Sequence, residues 1–535
     1  MKRIYAFFLT IGRYGAENQR AFLILVCLIS LSTLSWIALV VLQNFPNSVD
    51  EYSYIYQAKT LLAGRFWNPP HPLQDFFNFT HLYTVNGKTF SYYPFGWPLL
   101  LALGMLLNIP TWLINPMAAT LSLVILYLIA KRIYEPRVGV YAVLMTLVSS
   151  FFLFNSSSYF SHTSCSLFIL LFAYFTIVSI DEEKTGKLLW AGFFLGWAFI
   201  TRYYTALLCA LPLIILTLSK PGRSKKIFWL LAGILPFILF LMISNYEITG
   251  NALVSPYSFD TLHTHFFPIV LGRNLTAFSQ NILYFILWAP PFLLFIYSSF
   301  FVRHLKDALT KGIGAIFPCL AAGCFFYYYP PGNEYGPRFY YEAFPFMILF
   351  VSSYLFKENS YSAKKLFDKT LFLLFIAGLI IHIPLTGYLF KIKKQVVWDR
   401  QTPYRLVQEQ KIHHAVIFIK TSSGKIYPIR RGELLRNDLD FSNDVLYVQD
   451  RREENKKLMH YYPDKTYYVF TFDRNKDKGQ LQKLDPKNFM DLPLYNSIFG
   501  PLGGRQNILY YSVKERAWRD SNPQPLVPKT NALSS

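Results

Sequence analysis

The sequence predicts a mainly α-helical, polytopic membrane protein of about eleven transmembrane helices, with a small α/β or α+β domain at its C-terminal end. Three observations lead there. First, 53% of the 535 residues are hydrophobic and only 16% are charged, against roughly 25% charged in an average soluble domain. Second, apolar runs of bilayer-spanning length recur up to residue 390, separated by short polar breaks. Third, the remaining residues, 390–535, have ordinary soluble character and suffice for one small domain.

Residues 1–20 are basic and precede an apolar run too long for the core of a cleaved signal peptide. They read as a cytoplasmic N-terminus leading into a signal anchor. The predicted spans are 21–42, 112–130, 138–155, 163–180, 188–201, 204–219, 227–244, 281–301, 313–329, 339–356 and 370–389. The membrane region is therefore 21–389, with a long first outer loop at 43–111. An extracytoplasmic domain follows over 390–519, and the polar, Pro-containing tail 520–535 is expected to be disordered.

Lys and Arg set the orientation. One set of loops (1–20, 131–137, 181–187, 220–226, 302–312 and 357–369) carries 20 of them, and the opposite set carries 6. The first set is assigned to the cytoplasm. The net charge of +21 thereby loses its first reading as a nucleic-acid signature. The remaining 26 Lys and Arg lie in the outer domain and face 16 acidic residues, a local excess of 26 − 16 = 10. The five Cys (27, 165, 209, 319 and 324) lie in or beside apolar runs, with neither zinc spacing nor a disulfide framework. The sequons at Asn78, Asn155 and Asn274 all fall outside in this topology.

The outer domain contains β-like runs at His414–Ile419, Lys425–Ile429, Val445–Val448, Thr466–Phe472 and Ile508–Val513. Helical pieces are expected around 402–411 and 453–461.

The first outer loop opens on Asn47-Ser48-Val49-Asp50-Glu51-Tyr52. Ser48-x-x-Glu51 fits a capping box and predicts a helix from Val49 to about Ala63. Tyr54, Ala58, Leu61 and Leu62 share one of its faces, which suits a helix in the membrane interface. Asp50 and Glu51 have two readings: helix-start carboxylates favoured by the dipole and the cap, or catalytic groups, since a carboxylate where the bundle opens outward is a candidate general base. The cap accounts for Glu51 better than for Asp50.

The loop closes on Lys88 and the run Tyr92-Tyr93-Pro94-Phe95-Gly96-Trp97-Pro98. An aromatic belt explains the rings, but it does not require the lysine. Arg202, Asn245 to Asn251, His263, His265 and the run Tyr335 to Glu342, with Arg338 and Tyr340, lie on the same outer face. A single Arg at a membrane edge ordinarily snorkels to headgroups. Two Arg, a carboxylate and two His together resemble a site for an anionic lipid phosphate. His263-x-His265 alone is weak evidence for a metal.

The order and placement of these elements resemble the GT-C superfamily of membrane glycosyltransferases, in particular the protein O-mannosyltransferases and the lipid A aminoarabinose transferases. The resemblance spans roughly residues 20–390. It rests on Asp50-Glu51 after the first span, Tyr93-Pro94-x-Gly96-Trp97-Pro98, Lys131-Arg132, Gly196 through Arg202, Thr249-Gly250-Asn251 and Gly336-Pro337-Arg338-Phe339. It implies transfer of a sugar from a polyprenyl-phosphate donor to a lipid, glycan or protein acceptor hydroxyl on the extracytoplasmic face, with inversion. Asp50, with Glu51, would be catalytic, and Asp50 the general base. Arg338, Arg202 and Lys88 would bind the donor phosphate. Tyr93, His263, His265 and Tyr340 would contact substrate.

The aminoarabinose transferases carry a Lys directly before the first-loop proline, where this chain has Tyr93 and places Lys88 six residues ahead of Pro94. GT-C enzymes divide on metal dependence. With no acidic cluster beyond Asp50, Glu51 and Asp75, no obligatory metal or other cofactor is expected, although a divalent cation is compatible with the resemblance. The expected location is the bacterial cytoplasmic (inner) membrane, among membrane lipids, with no nucleic-acid partner. The competing reading is a transporter or flippase for a lipid-linked or anionic substrate. Such proteins place their polar groups near the bilayer midplane in repeated halves, and neither feature is visible here.

Overall fold

The computed structural model describes residues 2–219, 221–259, 271–301, 307–327, 334–356, 366–419, 436–473 and 478–485. His263, His265, the predicted strands at 425–429 and 508–513, and the tail 520–535 lie outside the described residues.

The first helices are α1 (Lys2–Glu17), α2 (Gln19–Trp36, continued by a π-helical turn Ile37–Val41), α3 (Val49–Leu62), α4 (Gly96–Leu106), α5 (Thr111–Ile133) and α6 (Pro136–Leu147). Next come α7 (Ser150–Ser157), α8 (His162–Asp181), α9 (Leu188–Thr201), α10 (Tyr203–Ser219), α11 (Arg223–Thr249) and α12 (Leu271–Trp288). The last are α13 (Leu293–Phe301), α14 (Ala308–Phe325), α15 (Phe344–Phe356), α16 (Leu366–Arg400), α17 (Thr402–Glu409) and α18 (Asn455–Tyr461).

The chain is an integral membrane protein, and each predicted span falls on helix. Among the described residues, seven helices are long and apolar enough to cross a bilayer, or nine if two bent pairs are each one span. One pair is α6 and α7, bent by 69°, where a single span was predicted at 138–155. The other is α12 and α13, bent by 114°, where one was predicted at 281–301. The second break contains Pro290 and Pro291, and proline cannot donate the backbone bond that would continue the helix.

Backbone groups freed at such breaks have no water to turn to and need protein partners. The Ser150 N–H donates to His382 Nε2 (3.0 Å), and the Ser150 hydroxyl donates to Trp288 O (2.8 Å). Asn115 Nδ2 donates to Ser158 O (2.7 Å) and Phe160 O (2.8 Å), holding the chain between α7 and α8. Asn155, assigned to the outer surface above, is instead fully buried in α7 and donates to Tyr335 O.

Close packing of α9 on α11 depends on two glycines. A Cβ on Gly192 would sit 2.1 Å from Leu230 O, and one on Gly233 would sit 2.1 Å from Leu189 O. Small residues let membrane helices approach in this way. Gly233→Leu is therefore expected to abolish the monodisperse peak in detergent size-exclusion chromatography. Gly186→Leu, at a position with nothing within 4 Å, should leave it unchanged.

The first outer loop is a structured layer. Its helix α3 has the predicted capping box, with both reciprocal bonds present. The helix does not lie free in the interface: Ser53, Tyr54, Tyr56, Gln57, Ala58 and Thr60 are all buried by protein. A hairpin of β1 (Leu82–Val85) and β2 (Lys88–Ser91) follows. Its turn, Asn86-Gly87, has positive φ at both residues (51° and 73°), as a two-residue hairpin turn requires. The apolar helix α4 completes the layer.

The outer domain carries β3 (Ala415–Ile419), β4 (Val445–Gln449), β5 (Thr466–Asp473) and β6 (Lys478–Leu484) in the order β4-β3-β5-β6. β3 runs parallel to β4 and β5, and β6 is antiparallel to β5. Of the predicted strands, 414–419, 445–448 and 466–472 correspond to β3, β4 and β5. β6 is additional.

This sheet packs directly on the first outer loop. Phe76 and Phe77 share a core with Val416, Phe418, Leu446 and Val448. Phe79 packs with Ile417 and Phe470 on the other face. Polar ties reinforce the seam: Tyr52 Oη donates to Asn437 O (2.8 Å), and Lys59 pairs with Asp438 (2.6 Å). The 35-residue α16 is about 52 Å long at 1.5 Å per residue, well beyond the ~30 Å of a hydrocarbon core. Its last residue, Arg400, is buried, donates to Asn47 O and pairs with Glu334 (3.5 Å).

Candidate active site

Asp50 occupies the second position of α3, and its carboxylate is only 13% exposed. Arg338 Nη2 lies 3.1 Å from Asp50 Oδ2. Tyr93 Oη donates to Oδ1, and His81 Nε2 is 3.7 Å from the same oxygen. Burial works to raise the pKa of Asp50. The Arg338 charge, then His81, then the Arg338 hydrogen bond and Arg202, outweigh it and hold the carboxyl below its usual range. Asp50 is thus ionised at neutral pH.

Arg338 begins the 3₁₀ turn Arg338–Ala343. Its guanidinium stacks 4.0 Å from the Phe160 ring centroid, a favourable cation–π position. Nη2 serves Asp50, while Nε and Nη1 are buried with no protein acceptor. Buried N–H donors without partners are rare and costly, and here they sit beside an ionised carboxylate.

A second buried group adjoins the first. Glu342 Oε1 lies 3.0 Å from His162 Nδ1 and 3.1 Å from Arg202 Nε. Arg202 Nη1 also donates to Ser161 Oγ (3.3 Å), which in turn contacts Tyr54 Oη. Part of the Arg202 charge is therefore neutralised within the protein.

Glu51 sits next to Asp50 in sequence but faces the other way. It is 1% exposed. Oε2 accepts from the Asn47 and Ser48 N–H groups (2.5 and 2.8 Å), and Oε1 accepts from the Tyr159 N–H (2.8 Å). Burial is the largest influence on its pKa and pushes it to about 7, against the pull of these bonds. Both oxygens are committed to backbone, so the cap accounts for this carboxylate.

The other candidates separate. Tyr93 is brought to Asp50. Lys88 is not: its ammonium donates to Glu247 O (2.6 Å) and lies 5.1 Å over Trp67. Tyr340 is buried, hydrogen-bonds Asn281, and lines an apolar cavity of about 590 Å³ with Phe278, Phe285, Tyr297 and Phe317. It lies on the same 3₁₀ turn as Arg338, which does not itself line the cavity. Among the described residues, no group of three His, Cys, Asp or Glu is arranged to hold a metal ion.

Sequence reasoning missed His81 and Tyr92 and left Glu342 without a role. His81 belongs to no motif, and Tyr92 was read only as a ring of the aromatic run that closes the first outer loop.

The resemblance read from the sequence is borne out at the level of fold. Residues 93–244 match the family "Dolichyl-phosphate-mannose-protein mannosyltransferase". ArnT from Cupriavidus metallidurans bound to undecaprenyl phosphate is similar over 85% of this chain and 93% of its own, with 9% identity and a TM-score of 0.53. The apo state of the same protein gives 84%, 93%, 10% and 0.53. No curated protein matches the chain by sequence.

Proposed function

We propose that this protein is a glycosyltransferase that moves a sugar from a polyprenyl-phosphate donor to an acceptor hydroxyl on the extracytoplasmic face of the membrane. One observation carries the reading: ionised Asp50 is paired with an arginine that keeps two buried N–H donors unused. A phosphate beside Arg338 would take those donors in charge-assisted bonds. The apolar cavity beyond Tyr340 suits the isoprenoid chain of such a lipid. The undecaprenyl phosphate in the ArnT structure supports this donor class.

In this reaction Asp50 removes the acceptor proton as the acceptor oxygen attacks the anomeric carbon. The bond from that carbon to the phosphate oxygen breaks, and its electron pair leaves with the lipid phosphate. A single displacement inverts the anomeric centre and needs one base. Arg338 stabilises the charge growing on the departing phosphate. As it does so it shields Asp50 less, and the carboxylate becomes a stronger base in the step that uses it. In this reading the N-terminus lies inside and the outer domain outside a bacterial inner membrane, the orientation that the Lys and Arg bias of the loops favours.

The test is release of undecaprenyl phosphate from undecaprenyl-phosphate mannose and undecaprenyl-phosphate aminoarabinose, with membrane extract as acceptor source. Wild type should release the lipid phosphate and label an acceptor with one of them. Arg338→Ala should raise the donor KM on the order of 100-fold, as expected for two charge-assisted bonds. Arg338→Ala kinetics equal to wild type would remove the phosphate site, and uptake of the labelled lipid with no glycosylated product would favour a transporter.

A further inference from the structure

A chain of donors runs around one side of Asp50. Tyr93 Oη donates to Asp50 Oδ1, and Tyr92 Oη donates to Tyr93 Oη (3.3 Å). His81 Nδ1 lies 2.9 Å from Tyr92 Oη. Since the Tyr92 proton is directed at Tyr93, the Tyr92 oxygen accepts from His81, and Nδ1 carries the hydrogen. That tautomer leaves Nε2 as a lone pair facing Asp50 Oδ1 at 3.7 Å. A lone pair and a carboxylate oxygen at that separation form a gap that one proton would close.

The backbone holds His81 there deliberately. The residue has φ +71°, a conformation few non-glycine residues adopt. It directly precedes β1, and its ring packs edgewise on Tyr92 (5.1 Å) and Tyr93 (5.6 Å). Its side chain is 13% exposed, so the ring touches the carboxylate without being fully sealed from solvent. Among the described residues, the charged and titratable groups around the pair include Arg338, Arg202, Tyr54, Tyr92, Tyr93 and Tyr257.

We infer that His81 relays the acceptor proton from Asp50 to the outer solvent, completing each turnover of the transfer proposed above. The acceptor O–H proton goes first to Asp50. Asp50 passes it to His81 Nε2, giving an imidazolium. The imidazolium releases a proton to water, and Asp50 returns to its ionised state beside Arg338. No other atom changes hands. A base held in ionised form by Arg338 is a poor resting place for a proton, and the adjacent imidazole is a better one.

The relay requires a neutral His81 at the start of the cycle. Wild-type turnover should therefore fall as pH drops through the imidazole range, about 6.5. His81→Gln should lose about tenfold or more in kcat at pH 7.5, keep donor KM within about twofold, and lack that acidic limb. Added imidazole should restore part of the turnover of His81→Ala and none of that of Asp50→Ala. An unchanged kcat and pH profile in His81→Gln, or no rescue of folded His81→Ala, would overturn the relay.

Tyr92→Phe provides a second variant, because it removes the acceptor that fixes the tautomer. It should lower kcat while keeping the acidic limb, since His81 still titrates, and an unchanged kcat would count against the relay.

A substrate-free arm separates this inference from the function itself. In ¹³C-histidine-labelled protein in nanodiscs, the midpoint of the His81 signal should fall in Asp50→Asn relative to wild type. No shift would overturn the relay whatever the enzyme transfers. A shift in a protein that transfers no sugar would instead remove the glycosyltransferase reading.

Discussion

Asp50→Asn is expected to lower sugar transfer by about 10³-fold or more, within the range for loss of a general base, while the protein remains folded. Asn is isosteric, and its one amide oxygen can still accept from Tyr93 or from Arg338, which approach Oδ1 and Oδ2 in the wild type, but not from both. What it lacks is proton affinity. The substitution also removes the anion that competes for Arg338. Affinity for undecaprenyl phosphate, measured by displacement of a fluorescent lipid phosphate, should therefore hold or increase. Lost turnover with retained or tighter lipid binding is a signature that general unfolding would not give. Transfer at the wild-type rate would exclude Asp50 as the base.

Glu51→Ala is expected to remove the protein rather than the chemistry. Three backbone N–H groups, from Asn47, Ser48 and Tyr159, depend on its two oxygens. An unsatisfied buried N–H costs about 1–3 kcal/mol, so the loss totals several kcal/mol and disconnects α3 from the turn after α7. The readout is yield of monodisperse protein and its thermal midpoint in detergent.

Glu51 also gives a pH dependence with a defined sign. Its folded pKa is raised from 4.5 to about 7. Between those values the folded state holds a proton that the unfolded state has released, so this contribution is full below pH 4.5 and declines as pH rises to 7. At about 1.4 kcal/mol per unit the change is about 3 kcal/mol. The wild-type midpoint should fall from pH 5 to 7.5 through this group, and Glu51→Gln should remove that component of the slope. Equal slopes in both proteins would assign the dependence elsewhere.

The sequence made the membrane body legible because lipid leaves few alternatives: an apolar run of spanning length becomes helix. It was less informative about where helices bend or stop. The break at Pro290-Pro291 was read over as part of one span, although its two prolines mark it. The break near Val148-Ser149 has no such mark, because it depends on His382 arriving from α16 to receive the Ser150 N–H. The apolar run of α16 ends near residue 389, yet the helix continues to Arg400, since Lys, Gln and Arg are good helix formers once outside lipid.

In the site, Asp50 and Arg338 were legible through their places at the mouth of the bundle. The cap at Glu51 followed from Ser48-x-x-Glu51 alone. His81 and Tyr92 were not legible, because their chemistry arises from a hydrogen-bond circuit closed across the loop. The Asn86-Gly87 signal of the β1–β2 hairpin that positions them went unread.

The seam between the outer domain and the first outer loop also constrains engineering. Phe76, Phe77 and Phe79 complete the core of the domain, and Arg400 fastens the end of α16 to the turn that leads into Asp50. Grafting a domain from a relative at residue 400 would leave those three aromatics facing a foreign sheet and strain the segment carrying Asp50. A workable chimera would exchange residues 66–85 together with everything from the start of α16. Acceptor preference, if the domain governs it, would then be inherited as two distant stretches of sequence that change in step.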